Sequence, residues 1–146
     1  MPSRPNLLFI CSDQQRTDTI GAYGNDWIET PALNELASRS FVFENAYVTQ
    51  PVCSPARSTM MTGMYPHSAG VVRNSAPDRN YSNLFPDVKT IAQMVSDDYV
   101  CAKYGKWHLG DDLSPQRGFT KWVSTEDAHD GNQPTWIDPE NKDRKS

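Results

Sequence analysis

The first strongly apolar stretch, Asn6-Leu7-Leu8-Phe9-Ile10-Cys11, is continuous rather than alternating. A run of that kind after Pro5 predicts a strand covered on both faces, as in a parallel sheet. Thr30-Pro31 predicts a helix start, with Thr30 as N-cap and Pro31 in the first position, running to about Ser38. Phe41 to Tyr47 predicts a short strand. Ser54 as N-cap and Pro55 in the first turn open a second helix that closes at Thr62-Gly63, where Gly63 can take the left-handed conformation. Met64-Tyr65-Pro66-His67 turns the chain, and residues 74–86 are polar and loop-like. Ile91, Met94 and Val95 share one face of a helix over Thr90 to Ser96, and Tyr99 to Lys106 predicts a further strand. Beyond Gly118-Phe119 the apolar pattern fades. Residues 1–125 therefore form the ordered part. Residues 126–146 read as an irregular polar tail in which Trp136-Ile137 can dock locally. The order strand, helix, strand, helix, helix, strand predicts a layered α/β domain, a mostly parallel sheet flanked by helices.

Composition narrows the function classes. The 146 residues are enough for one domain with a core. A net charge of −4 without a basic stripe argues against a nucleic-acid binder. No apolar stretch approaches the length of a membrane span. Leu7 to Cys11 is too short for a secretory core and has no small-residue cleavage site after it, so the chain as written is expected in the cytoplasm. A start lying upstream would instead place the protein in the periplasm or outside the cell. Three cysteines cannot all pair, and no zinc spacing is present.

The richest chemistry lies in Pro51-Val52-Cys53-Ser54-Pro55-Ala56-Arg57-Ser58-Thr59-Met60-Met61-Thr62-Gly63. The expected helix puts Cys53 at its N-terminal mouth, where unpaired N–H groups and the macrodipole favour an anion. Arg57 follows by four residues and shares that face. Its planar fork of donors suits sulfate or phosphate. Asp13 and Gln14 close the first apolar run, at the strand end where open α/β sheets bind ligands. Both offer hard oxygen donors, suited to Ca²⁺ or Mg²⁺. In Tyr104-Gly105-Lys106-Trp107-His108-Leu109-Gly110, Lys106 and His108 lie two apart and would point the same way on an extended segment.

The C-x-P-x-R core, Cys53-Ser54-Pro55-Ala56-Arg57, resembles the sulfatase signature, and Gly105 to Gly110 resembles the second signature of that family. The likeness covers about Pro5 to Phe119. It implies the alkaline-phosphatase-like fold, of which this chain carries the N-terminal portion. It also implies a sulfuric ester hydrolase in which Cys53 is oxidised to formylglycine by a formylglycine-generating enzyme. Arg57, Lys106 and His108 would be catalytic. Asp13, Gln14 and position 53 would contact a divalent metal, Ca²⁺ first, with Mg²⁺ or Mn²⁺ as alternatives. The implied substrate is a sulfate ester of a carbohydrate or an aryl alcohol, with no nucleic-acid or membrane partner. Gln14 stands where many sulfatases have an acid, which also fits phosphonate or phosphate monoester hydrolases of the same superfamily. A non-catalytic truncated fragment is the third reading. Asp127-Ala128-His129-Asp130 follows the second signature too closely to supply the family's later metal ligands, and His129 reads as a surface residue.

Overall fold

The computed structural model describes residues 4–74, 83–95, 97–111, 114–125 and 136–137. His129 and nearly all of the expected tail lie outside these residues. Chain contacts divide the protein into two compact units, Met1–Tyr47 and Val48–Ser146.

In the first unit, 3-10 turns at Thr17–Thr19 and Gly21–Tyr23 lead to helix α1, Pro31–Ser38. Thr30 and Pro31 take the expected N-cap and first positions. The Thr30 hydroxyl reaches outward: it accepts from the Gly21 N–H at 2.9 Å and donates to Asn34 Oδ1 at 3.1 Å. Two sequence expectations need correction here. Residues 6–11 and 41–47 are not in strands. Leu8 is 85% exposed and Phe41 84%. The apolar pattern fixes what these segments would bury, but a strand also needs a neighbouring edge to complete its ladder.

The second unit holds helix α2, Cys53–Thr62, helix α3, Pro66–Ala69, and helix α4, Ile91–Met94. Its sheet runs β1 (Ala102–Tyr104), β2 (Lys121–Thr125), β3 (Trp136–Ile137) in that order. β1 and β2 are parallel, with Lys103 opposite Trp122, and β3 joins β2 antiparallel. The parallel pair flanked by helices is the expected architecture in small. β2 was not foreseen, and β1 is shorter than the expected strand over Tyr99 to Lys106. Gly105, at φ 85°, turns the chain out of the strand direction. The helix expected over Thr90 to Ser96 is regular only over Ile91–Met94. There Thr90 and Gln93 form a reciprocal capping box. Ser96 lies outside the described residues.

The core of this unit comprises Ala69, Val71, Leu84, Val88, Trp107, Leu109 and Trp122. Trp107 meets Trp122 edge-to-face at 5.3 Å and Phe119 at 5.9 Å, a favoured geometry for aromatic quadrupoles. The face that α2 buries is mixed, with Pro55 buried and Met61 packed against the core beside small hydroxyl residues. Ser54, Ser58 and Thr62, spaced four apart, are all buried. Ser58 Oγ donates to the Pro55 carbonyl at 2.8 Å and Thr62 Oγ1 to the Ser58 carbonyl at 2.7 Å. These hydroxyls are satisfied within the helix, and their small size lets α2 pack closely on its surroundings.

Candidate active site

α2 begins two residues earlier than the sequence suggests. Val52, extended at φ −133° and ψ 142°, is the N-cap, and Cys53 is the first helical residue. Pro55 then falls in the third position, where its missing N–H is still one the helix would not have used. Ser54 is not the N-cap. Its own N–H donates to Asn74 Oδ1 at 3.0 Å. Cys53 is therefore seated in the first turn itself, closer to the positive pole than expected. Gly63 closes the helix in the left-handed conformation at φ 70°, its N–H on the Thr59 carbonyl. Cys53 and Arg57 are both half-buried.

The segment that follows β1 comes to this helix. Gly105 N–H extends the ladder to the Val123 carbonyl at 2.8 Å. Lys103 Nζ donates to the Tyr104 and Gly105 carbonyls, both at 3.0 Å, and stiffens the turn. Arg57 Nη1 then donates to the Lys106 backbone carbonyl at 2.8 Å. Two motifs separated by 49 residues in sequence are thus joined by a direct bond.

Lys106 is half-buried, while Trp107, His108 and Leu109 are buried. The expectation that Lys106 and His108 point one way along an extended segment is corrected. His108 sits at φ 59°, a left-handed conformation. Burial of Trp107 and Leu109 on either side in the core fixes this reversal locally. Non-glycine residues with positive φ are uncommon, and the strain persists where surrounding structure over-determines it.

Gln14, in the first unit, has the same unusual backbone at φ 58°. It follows Asp13 in a bend after the apolar run. Neighbouring side chains brace this turn. Gln15 Nε2 donates to Thr19 Oγ1 at 2.5 Å, and Arg16 forms a bidentate pair with Asp18 at 2.9 and 2.5 Å. That hydrogen bond first, then the Asp18 charge, raises the Arg16 guanidinium above its ordinary value. Asp13 and Gln14 fit a hard divalent cation in donor type but not in number, since Ca²⁺ takes six to eight oxygens. Among the described residues, no group of three or more His, Cys, Asp or Glu side chains could hold a metal.

His67 stacks on Tyr65 at 5.8 Å and is exposed, in helix α3 where the sequence predicts a turn. Sequence reasoning missed Asn74 and Arg117. Arg117, itself at φ 53°, donates to the carbonyls of Leu84, Phe85, Pro86 and Val88 at 2.9 to 3.3 Å. It pins the loop that carries Leu84 and Val88 into the core beneath Trp107 and Leu109. Neither residue has a signal in local sequence, because each acts on a partner at least 20 residues away.

Comparison with known proteins matches a family model described as Sulfatase over residues 5–144. An ulvan-active sulfatase of Formosa agariphila is 32% identical over 152 aligned residues, covering 99% of this chain and 29% of that protein. An N-acetylglucosamine-6-O-sulfatase of Bacteroides thetaiotaomicron is 30% identical, covering 94% of this chain and 23% of its own length. A structure solved in complex with its substrate D-glucosamine-2-N,6-O-disulfate superposes with a TM-score of 0.76 at 29% identity. It covers 92% of this chain and 26% of that one. The chain thus spans between a fifth and a third of the length of these relatives. Among the described residues, no helix is long and apolar enough to cross a membrane.

Proposed function

Because the chain belongs to the sulfatase family, we propose that it carries the nucleophile-bearing part of a sulfuric ester hydrolase, with Cys53 as the attacking position. The observation that carries this reading is the Arg57 to Lys106 bond. It draws the C-x-P-x-R helix and the G-K-W-H-L-G segment together at the end of α2 suited to an anion.

The residues divide the work by their chemistry. The first turn of α2 presents a positive pole to a sulfate group approaching Cys53. Arg57 lies one turn on, and its bond to Lys106 fixes the plane of the guanidinium. A fork so oriented stabilises charge on the equatorial sulfate oxygens as it develops in the transition state, together with the Lys106 ammonium. His108, buried beside them in sequence, is the proton-transfer group. Formylglycine at position 53, made by a formylglycine-generating enzyme, would supply the paired hydroxyls that a thiol lacks. Asp13 and Gln14 would be two of the oxygen ligands of a divalent cation such as Ca²⁺, which when bound supplies charge neutralisation. Substrates of the relatives point to a sulfated carbohydrate. Gln14 keeps a phosphonate or phosphate monoester in view, since it contributes no negative charge.

The test is turnover of a sulfated hexosamine, an aryl sulfate and a phosphonate monoester by the protein co-expressed with the generating enzyme. Sulfate release that disappears in Cys53→Ala supports the reading. Preference for the phosphonate would replace it with the second hydrolase class.

A further inference from the structure

We propose that Asn74 is a positioning residue for Cys53, acting as a side-chain cap delivered from outside helix α2. The first N–H groups of an α-helix have no acceptor within the helix, and an N-cap side chain ordinarily supplies one. The N-cap of α2 is Val52, which makes no side-chain cap bond. Ser54 is 0% exposed, so water does not reach this residue. A buried amide left without an acceptor is costly. Asn74 Oδ1 accepts from it at 3.0 Å, from 20 residues downstream.

The placement of Asn74 is built rather than incidental. Val71, fully buried in the core, donates its N–H to the Pro66 carbonyl at 2.9 Å. The Val72 carbonyl accepts from Gln50 Nε2 at 3.2 Å. The short segment before Asn74 is thereby tied on one side to α3 and on the other to the residues that lead into α2. Asn74 itself is half-buried.

The consequence falls on Cys53. The peptide unit between Cys53 and Ser54 is planar, so holding its N–H holds the ψ angle of Cys53. With the backbone fixed, the side chain at position 53 is restricted to the few rotamers that a first-turn residue allows. The same bond engages an amide that an anion at the helix mouth would otherwise use. Recognition of the substrate anion is thereby shifted from this amide to side chains, Arg57 first. The importance of this cap to catalysis rests on Cys53 being the attacking position, whereas the cap itself does not.

The experiment is residue-resolved amide hydrogen exchange on the full chain, with Ala56 (to the Val52 carbonyl) and Gly63 (to the Thr59 carbonyl) as internal references. In the unaltered chain the Ser54 amide is expected to be protected about as well as Ala56. Asn74→Ala should accelerate exchange at Ser54 about tenfold while the references hold, and Asn74→Asp, which keeps an acceptor, should restore it. The positioning role is read by alkylation of Cys53 with a neutral reagent at fixed pH, followed by peptide mass spectrometry. Exposed Cys11 serves as the internal standard. Asn74→Ala should raise the Cys53 rate about threefold or more relative to Cys11, as the site loosens and an amide is released toward sulfur. An unprotected Ser54 amide in the unaltered chain, which needs no variant to fold, would overturn the cap. An unchanged Cys53 rate in a folded Asn74→Ala variant would overturn the positioning. Neither readout requires sulfatase turnover, so failure of the proposed function would register separately.

Discussion

The Arg57 guanidinium and the Lys106 backbone carbonyl lie 2.8 Å apart and join the two motif segments of the second unit. One residue thus serves twice, as a helix-borne cation beside Cys53 and as the clasp that holds the strand-to-core segment in place. Arg57→Lys keeps the charge but loses the planar fork. It is expected to lower chain stability by about 1–2 kcal/mol, the scale of one charge-assisted hydrogen bond in a half-buried setting. Loss of one oriented donor at the reacting group should lower kcat by about 100-fold or more. Denaturant midpoints and steady-state kinetics check the two halves separately.

His108 gives a cleaner separation of backbone from chemistry. At φ 59° a glycine is unstrained where alanine is not. His108→Gly is expected to fold more stably than His108→Ala by about 1 kcal/mol. On the proposed role of His108 in proton transfer, both variants should also lose turnover. Parallel urea titrations of the two variants read the difference.

Gly118 sits at φ 88°, and an added Cβ would lie 2.7 Å from the Ala92 carbonyl carbon. Gly118→Ala combines left-handed strain with a backbone clash, two independent penalties. A loss of at least about 2 kcal/mol is expected. The thermal midpoint of the chain measures it.

Arg117 holds four carbonyls of the loop over 84–88. Arg117→Met keeps much of the side-chain stem but leaves these acceptors without the guanidinium. It is expected to destabilise the chain by about 2–3 kcal/mol. Exchange of the Phe85 amide, bonded to the Ala69 carbonyl at 3.0 Å, should rise more than that of Ala56 in α2.

How much of this was legible follows from the range of each interaction. The glycine stop of α2 at Gly63 and the Thr30-Pro31 start of α1 are written in neighbouring residues and stand where the sequence places them, whereas α2 opens at Cys53, ahead of the expected Ser54 cap. The joining of Arg57 to Lys106, the left-handed turn at His108 and the Asn74 cap depend on packing between distant segments, for which local pattern carries no signal. β2 went unseen because Lys121-Trp122-Val123-Ser124-Thr125 is short and holds only two adjacent apolar residues, which gives neither an apolar run nor a clean alternation. Trp122 and Ser124 do face inward with period two. The apolarity of Leu7 to Ile10 was legible, and its exposure here shows that composition states what a segment should bury, not what covers it.

The most direct measurement is sulfate release from a sulfated hexosamine by the protein co-expressed with a formylglycine-generating enzyme, compared with Cys53→Ala, alongside mass analysis of the peptide containing position 53. Turnover that requires an aldehyde at position 53 and vanishes in the alanine variant is the expected result. Undiminished sulfate release from the alanine variant would contradict the assignment of the attacking group.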